Sequence, residues 1–260
     1  MRNSFDLAAK NYDQLFTNSN IGKLQRNLVH QHIITFLKKD KKLNILEINC
    51  GTGEDAIWFA KQGHQVLATD ISKTMIDVAK NKVDLDNLYF KPFDINHIGQ
   101  LKPDEKYDLI FSNFGGLNCL STKELSQFYV DSLKLLKDNG RVINVMMPKC
   151  CIWDNIYLLY KIRWKSLFRR NTNKGVTVKV NGLNVQTWYY NPKEIISLTK
   201  GLFDTESTYP VGLFIPPSFL ESFFSKKRRI LQLLAWLDSR FKLSILSKYA
   251  DHFIITLKAK

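Results

Sequence analysis

The fold is decided by the stretch Ile45–Ala56, ILEINCGTGEDA. It begins with an apolar run that predicts a buried parallel strand over residues 43–48. A turn with two glycines, Gly51 and Gly53, follows, and apolar residues then recur at helical spacing from Glu54 to Lys61. This order predicts the ligand-binding edge of an open α/β sheet, because glycines let a ligand approach the backbone and a helix N-terminus offers free N–H groups.

Two kinds of ligand are compatible with this turn. The spacing Gly51-x-Gly53-x-x-Ala56 satisfies the dinucleotide pattern, but Glu47 stands where a dinucleotide strand usually stays apolar. The run Glu47-x-Asn49-x-Gly51-x-Gly53 instead resembles the E/D-x-G-x-G-x-G turn of class I S-adenosylmethionine-dependent methyltransferases. Asn49 replaces the first glycine of that motif, and asparagine tolerates a positive φ better than most residues do.

A second strand ends in a carboxylate. Val66–Asp70 is another apolar run, and Asp70 follows Gly53 by 17 residues. We expect Asp70 to accept hydrogen bonds from the ribose hydroxyls of a dinucleotide or of S-adenosylmethionine. Ile71 and Met75 are candidates to flank an adenine, although Met75 is equally compatible with a place in the core.

The resemblance to the methyltransferase family implies further cofactor contacts. It places Tyr12 of an N-terminal lid near the methionine end of S-adenosylmethionine, whose product is S-adenosylhomocysteine. It places Asp94 and Ile95, after the third strand, at the adenine. Asn113 and Phe114, after the fourth strand Asp108–Phe111, fall where the methionine part and the methyl acceptor meet.

The same resemblance predicts the whole architecture. We expect an α/β, doubly wound, mostly parallel seven-stranded sheet of the Rossmann-like methyltransferase type in a single domain. The predicted parts are a helical lid (1–42), a cofactor-binding core (43–148), substrate-side insertions (149–192 and 209–250) and a last strand (251–260). The insertions include a helix over 152–168, a hairpin with an Asn181-Gly182 turn and an amphipathic helix with apolar positions from Ile230 to Ile245.

Composition and charge narrow the class of protein. The 260 residues carry a formal net charge of +14, and residues 151–260 hold 18 Lys and Arg against 7 Asp and Glu. This excess predicts an anionic partner for the C-terminal half, either a membrane surface or nucleic acid. The four cysteines show no metal-binding spacing. With no secretory signal and no apolar run of about 20 residues, we expect a cytoplasmic protein with reduced thiols.

One rival motif points to another enzyme class. Tyr157-x-x-x-Lys161 has the spacing of the tyrosine and lysine of short-chain dehydrogenases. The pair follows the fifth strand in an aromatic, basic segment, and the glycine turn upstream carries Glu47. The dehydrogenase hypothesis is therefore disfavoured.

The resulting hypothesis is methyl transfer to a small or amphipathic acceptor, including a lipid-linked one. The pattern assigns no catalytic residue and no metal site, and each of the five histidines is compatible with a structural role. Two alternatives stay open: an RNA-directed methyltransferase, disfavoured because no Asn-Pro-Pro-Tyr-like motif follows the fourth strand, and a non-enzymatic scaffold, suggested by Asn49.

Overall fold

The computed structural model of the chain describes Asp6 and residues 12–37, 41–180 and 183–260. Its strands are β1 Asn44–Ile48, β2 Gln65–Asp70, β3 Leu88–Pro92, β4 Tyr107–Ser112, β5 Leu136–Met146, β6 Val176–Val180, β7 Leu183–Thr187, β8 Phe203–Val211 and β9 His252–Ala259. Its helices are α1 Asn20–Ile33, α2 Glu54–Lys61, α3 Lys73–Lys80, α4 Thr122–Leu135, α5 Ile152–Tyr160, α6 Pro192–Leu198, α7 Glu221–Phe224 and α8 Arg228–Arg240.

Seven strands form one mixed sheet in the order β3-β2-β1-β4-β5-β9-β8. All neighbours from β3 to β5 pair in parallel, whereas β9 runs antiparallel to both β5 and β8. The predicted mostly parallel seven-stranded sheet is confirmed. Strands β6 and β7 pair separately as the predicted hairpin, whose Asn181-Gly182 turn lies outside the described residues.

Both faces of the sheet are covered by apolar layers. Along β4, Ile110 belongs to one core cluster, while Leu109 and Phe111 belong to another. Alternate residues of a strand point to opposite faces, so the two clusters are the two layers of a doubly wound fold. A third, smaller cluster joins α1, α7 and α8 through Ile21, Phe224 and Leu231.

Helix starts follow the sequence closely. The predicted helix Glu54–Lys61 has the same bounds in the structure. Ser72 accepts a hydrogen bond from the N–H of Met75 and caps α3, as its position predicts. Ser121 and Glu124 form a capping box at the start of α4.

Three predicted boundaries were wrong. The helix predicted over 152–168 ends at Tyr160, because Ile162 and Phe168 take positive φ values of 55° and 56° and break it. The spacing of apolar residues predicts a helix over 122–137, but α4 stops at Leu135, since Leu136 already pairs with Tyr107 of β4. The sequence also predicts a strand over 203–207, which in the structure continues to Val211 along the outer edge of the sheet, where its proline is tolerated.

The helix in the second insertion also differs from its prediction. It spans Arg228–Arg240, and Leu231 and Asp238 are the residues that it buries. Ile230 and Leu233, two of the apolar positions of the predicted amphipathic helix, are exposed. Within the described ranges, none of the helices has the length and apolar character needed to cross a bilayer.

Candidate functional site

Most of the predicted ligand-binding residues line one cavity at the carboxyl ends of β1, β2 and β4. The cavity has a volume of about 260 Å³. It lies where the strand order reverses between β1 and β4, which is the usual ligand position in an open α/β sheet. The predicted residues that line it are Tyr12, Asn49, Gly51, Asp70, Ile71, Met75, Asp94, Ile95, Asn113 and Phe114. Glu47 and Gly53 are the two that do not.

The turn after β1 takes a left-handed conformation at three positions. Asn49, Gly51 and Gly53 have φ values of 55°, 53° and 80°. Asparagine is among the few residues that adopt such a conformation at low cost, which explains how it replaces the expected glycine. Gly53 is required for packing, because a Cβ there would lie 2.7 Å from the ring of Phe90.

Gly116, just after β4, packs directly against this turn. A Cβ at Gly116 would lie 2.6 Å from both Cβ and Nδ2 of Asn49. The loops after β1 and β4 therefore meet at a contact that leaves no room for a side chain on the second loop.

Asp70 holds the turn from the neighbouring strand. Its Oδ2 accepts a hydrogen bond from the N–H of Gly51, and its Oδ1 accepts one from the N–H of Ser72, both at 2.9 Å. Burial raises the pKa of Asp70, and the two backbone hydrogen bonds oppose that shift only in part. Each carboxylate oxygen has further lone-pair capacity, so the group that fixes the turn can also accept hydrogen bonds from ligand hydroxyls.

Two buried polar atoms beside the turn lack a hydrogen-bond partner among the described residues. They are Oε2 of Glu47 and Nδ2 of Asn49. Both residues line a smaller pocket, which shares Tyr12 and Phe114 with the main cavity. Burial raises the pKa of Glu47 well above its usual value, and the charge of Asp55 adds to the effect. An unpaired acceptor beside an unpaired donor fits a zwitterionic amino-acid group, which brings an ammonium and a carboxylate.

A buried charge cluster borders the same pocket, and no pattern in the sequence predicts it. Asp55 of α2 lies 3.1 Å from Nε of Arg26 and 2.7 Å from Nε2 of His30, and it accepts a hydrogen bond from Nδ2 of Asn113 at 2.9 Å. Burial alone would raise the pKa of Asp55, but Arg26 and His30 outweigh it and lower the value to about 2. The cluster brings together α1, α2 and the loop after β4, and Arg26 gives the pocket a fixed positive charge.

The segment before α1 lies against the glycine turn. Tyr12 packs with Met75, and burial raises its pKa to about 12. Asp13 accepts a hydrogen bond from Oγ1 of Thr52 at 2.5 Å and pairs with Lys82 at 2.6 Å. Residues 1–5, 7–11 and 38–40 of the predicted lid lie outside the described residues.

A third loop supplies the end of the cavity next to β2 and β3. Asp94 caps the turn Ile95–Gln100 by accepting a hydrogen bond from the N–H of Asn96 at 2.9 Å. Ile95 is buried, and together with Ile71 and Met75 it gives this end apolar surface. An aromatic base fits such a surface better than a charged group does.

The opposite wall comes from parts of the chain that the sequence did not connect with the site. It consists of Cys119, Leu120, Met147, Val185 and Thr187, the last two from the hairpin. Asn118 ties this wall together. Its Oδ1 accepts a hydrogen bond from the N–H of Met147 at 2.9 Å, and its Nδ2 donates one to the carbonyl of Trp188 at 2.5 Å.

The histidines occupy different places in the fold. His30 belongs to the charge cluster, His32 bonds Oγ1 of Thr256 at 3.0 Å, and His97 is exposed. Among the residues that the structure describes, the four cysteines are free, and none of the groups of His, Cys, Asp and Glu could hold a metal ion.

Comparisons with known proteins agree with this geometry. Residues 45–140 match a family model described as a methyltransferase domain. The chain is 29% identical over 241 residues to an uncharacterised protein of Methanocaldococcus jannaschii, covering 85% of this chain and 86% of that protein. It is 34% identical over 113 residues to malonyl-[acyl-carrier protein] O-methyltransferase 1 of Ilyobacter polytropus. These matches and the fold support a class I S-adenosylmethionine-dependent methyltransferase.

The match to the I. polytropus enzyme covers 42% of this chain and 39% of that protein, so less than half of either sequence is aligned. Magnesium protoporphyrin IX methyltransferase from Synechocystis PCC 6803, solved with bound S-adenosylhomocysteine, superposes with a TM-score of 0.62. The superposition covers 100% of this chain and 97% of the Synechocystis chain, and the two sequences are 15% identical. A likeness at this identity shows the fold alone. The predicted cofactor, S-adenosylmethionine, is confirmed for this methyltransferase.

Proposed function

We propose that this methyltransferase transfers the methyl group of S-adenosylmethionine to a small or amphipathic acceptor, including a lipid-linked one. The observation that carries the proposal is the cavity at the strand ends together with the smaller pocket beside it. Polar groups suited to a nucleoside line the cavity, those suited to an amino acid line the smaller pocket, and apolar side chains line the wall formed with the hairpin.

The nucleoside part of the cofactor would lie between the loops after β2 and β3. Asp70 would accept hydrogen bonds from the ribose hydroxyls with the lone pairs that Gly51 and Ser72 leave free. Asp94 would accept one from the adenine amino group. Ile71, Met75 and Ile95 would pack against the ring, so that the site offers one acidic side chain to each polar edge of the nucleoside.

The methionine end would satisfy the buried atoms that lack partners. The carboxylate of Glu47 would pair with the ammonium group, and Nδ2 of Asn49 would donate a hydrogen bond to the carboxylate. Arg26 would add a positive charge near that carboxylate, although Asp55 balances part of it. Tyr12 and Asn113 would close the methionine site.

S-Adenosylmethionine supplies a methyl group already activated on a sulfonium, so the protein has to orient the acceptor and exclude water. Tyr12 and Cys119 line the cavity with pKa values raised to about 12 and about 11, chiefly by burial. Both stay protonated at neutral pH and cannot take a proton from the acceptor. A nucleophile that is already ionised, such as a carboxylate, suits this site, which agrees with the malonyl O-methylation named for the I. polytropus relative.

The acceptor would approach from the hairpin side. Leu120, Met147 and Val185 offer an apolar surface there, and Thr187 adds a hydroxyl. We propose accordingly that the insertions 149–192 and 209–250 form the acceptor side of a single domain whose core, 43–148, holds the cofactor.

Calorimetric titration with S-adenosylhomocysteine tests the cofactor site. Asp70→Ala removes a charged acceptor of the ribose hydroxyls and should weaken binding about 10- to 100-fold. Asp70→Asn, which keeps one carbonyl oxygen for the turn, shows whether the loss comes from the ligand contact or from misfolding. Asp77→Ala, on the exposed face of α3, is the matched control. Equal affinity for wild type and Asp70→Ala would overturn the assignment.

The acceptor class is tested by mass spectrometry after incubation with S-adenosylmethionine. Suitable acceptors are a carboxylate linked to an acyl-carrier protein, a free long-chain acid and tRNA. A mass gain of one methyl group on either carboxylate supports the proposal. Methylation of tRNA alone would establish the RNA-directed alternative instead.

A further inference from the structure

Exposed apolar side chains are concentrated in the two C-terminal insertions. Among the described residues, every large hydrophobic side chain that is exposed lies within 152–168 or 219–249, apart from Ile34, Tyr89 and Ile196. Apolar groups gathered this strongly on one part of a surface mark a contact with something other than water.

Helix α8 is apolar on both sides. Leu231 and Leu234 pack into the third core cluster. Leu233 and Trp236, on the outer side, are 57% and 53% exposed. A helix whose outer side faces only water carries polar residues on that side. The outer side of α8 instead exposes apolar side chains.

Helix α5 repeats this arrangement. Leu158 and Asp154 are buried beneath it, whereas Ile152, Ile156 and Tyr160 are exposed on its outer side at spacings of four residues. The break after the helix leaves three more large side chains exposed: Ile162, Trp164 and Phe168.

The two insertions lie side by side. The rings of Tyr157 and Phe219 are 5.1 Å apart, and those of Trp153 and Phe224 are 5.9 Å apart. Trp153 also packs on the cluster that contains Leu231. These contacts join the two segments, and we call the exposed residues of 152–168 and 219–249 together the basic apolar face.

Cations surround the apolar groups of this face. Nζ of Lys227 lies 3.4 Å from the ring centre of Phe223, and Lys161 and Arg240 lie near the rings of Tyr160 and Trp236. Within the described ranges, the cations of the face that form no ion pair with a carboxylate are Lys161, Arg163, Lys165, Lys226, Lys227, Arg228, Arg229, Arg240, Lys242 and Lys248.

The two segments hold three acids, and each has partners elsewhere in the fold. Asp154 pairs with Arg169 and Arg170. Glu221 accepts hydrogen bonds from the N-terminal residues of α1. Asp238 accepts three from the backbone of residues 213–215 at 2.8 to 3.1 Å. Three acids do not balance the ten cations, so the face keeps a net positive charge.

We propose that the basic apolar face docks on a bilayer surface that contains anionic lipid. Its aliphatic and aromatic side chains would enter the interface while the flanking Lys and Arg meet phosphate and carboxylate head groups. A nucleic acid would bind the cations and stack on the aromatic rings. It would gain nothing from exposed aliphatic residues such as Ile156, Ile230 and Leu233. This contact is separate from the cofactor cavity, so its test does not depend on methyl transfer.

Vesicle flotation of the full chain measures the contact. Vesicles of phosphatidylcholine with and without phosphatidylserine are compared at low and high salt. Binding should need phosphatidylserine and weaken with salt. Arg228→Gln with Arg229→Gln should weaken it about fivefold per charge removed. Lys193→Gln, on the exposed side of α6, with Lys200→Gln, exposed in the turn after it, is the matched control and should have no effect.

A second pair of variants separates insertion from simple charge attraction. Leu233→Ser with Trp236→Ser should reduce binding at least about tenfold, whereas Ile196→Ser, an exposed apolar residue away from the face, should not. The fluorescence emission of Trp164 and Trp236 should shift to the blue when vesicles are added. This blue shift should be absent in the double variant Trp164→Phe with Trp236→Phe. Thermal melting confirms that each variant is folded.

Four results would overturn the proposal. One is the absence of binding to anionic vesicles at low salt. Another is binding that the Leu233 and Trp236 substitutions leave unchanged. A third is tighter binding to tRNA than to vesicles at equal salt. The last is a dimer that buries this face and does not bind vesicles.

Discussion

Replacing Gly116 by alanine tests the contact between the two loops that frame the cofactor cavity. The new Cβ would lie 2.6 Å from Cβ and 2.9 Å from Cγ of Asn49. The Cβ of Asn49 is fixed by its backbone, so a change of rotamer cannot relieve the clash and one loop has to move. Overpacking of this kind costs about 1–3 kcal/mol of unfolding free energy.

Asn49→Gly provides the matched partner for a double-mutant cycle. It removes the atoms that alanine would strike, together with a buried amide nitrogen that has no partner among the described residues. The gain from losing that unsatisfied group offsets the entropic cost of glycine, so the single variant should stay within about 1 kcal/mol of wild type. In this background Gly116→Ala should cost less than about 1 kcal/mol, which gives a coupling energy of roughly 1–2 kcal/mol.

Urea unfolding of the four proteins measures the cycle. Titration with S-adenosylhomocysteine is run in parallel. Gly116→Ala should weaken binding in the wild-type background, and it should weaken binding less in the Asn49→Gly background. Equal destabilisation by Gly116→Ala in both backgrounds would refute the reasoning, because the two residues would then not be in contact.

Three further predictions concern the pocket, the fold and the acceptor wall. Affinity for S-adenosylhomocysteine should fall as pH drops through the raised pKa of Glu47, since a protonated carboxyl cannot pair with an ammonium group; in calorimetry, Glu47→Gln should bind weakly and lose this dependence. Burial acts to raise the pKa of Asp251, but His252 and Arg170 outweigh it and lower the value to about 2. The stability that Asp251 contributes should therefore be present above the unfolded pKa of about 3.9 and be lost as pH falls towards 2, and Asp251→Asn should cost roughly 2 kcal/mol at neutral pH by urea unfolding. Val185→Trp should fill the acceptor end of the cavity and slow methyl transfer at least about tenfold, while leaving affinity for S-adenosylhomocysteine unchanged; a proportional loss of both would contradict the proposed acceptor wall.

The amino-acid sequence by itself determined the elements whose conformation depends on near neighbours. The glycine turn, the bounds of Glu54–Lys61 and the cap at Ser72 could be predicted because each requirement lies within a few residues. The positive φ of Asn49 belongs to the same class, since few other side chains tolerate it. Strand ends that carry Asp70 and Asn113 could be placed together because parallel strands share one edge.

Tertiary structure alone decided which distant side chains meet. Arg26 and Asp55 form a buried pair across 29 positions of sequence, and Asn118 bonds the carbonyl of Trp188 across 70. Such contacts depend on how helices and loops pack on the sheet, and no local pattern records that. The charge cluster and the wall formed by the hairpin were therefore missed.

The same limit applies to helix α8. Its apolar residues occupy both sides, so their spacing could not tell which side faces the core. The choice follows from the position of Asp238, which must turn inward to accept hydrogen bonds from the backbone of residues 213–215. A buried carboxylate needs those donors, and only the folded chain brings them within reach, which leaves Leu233 and Trp236 on the outside.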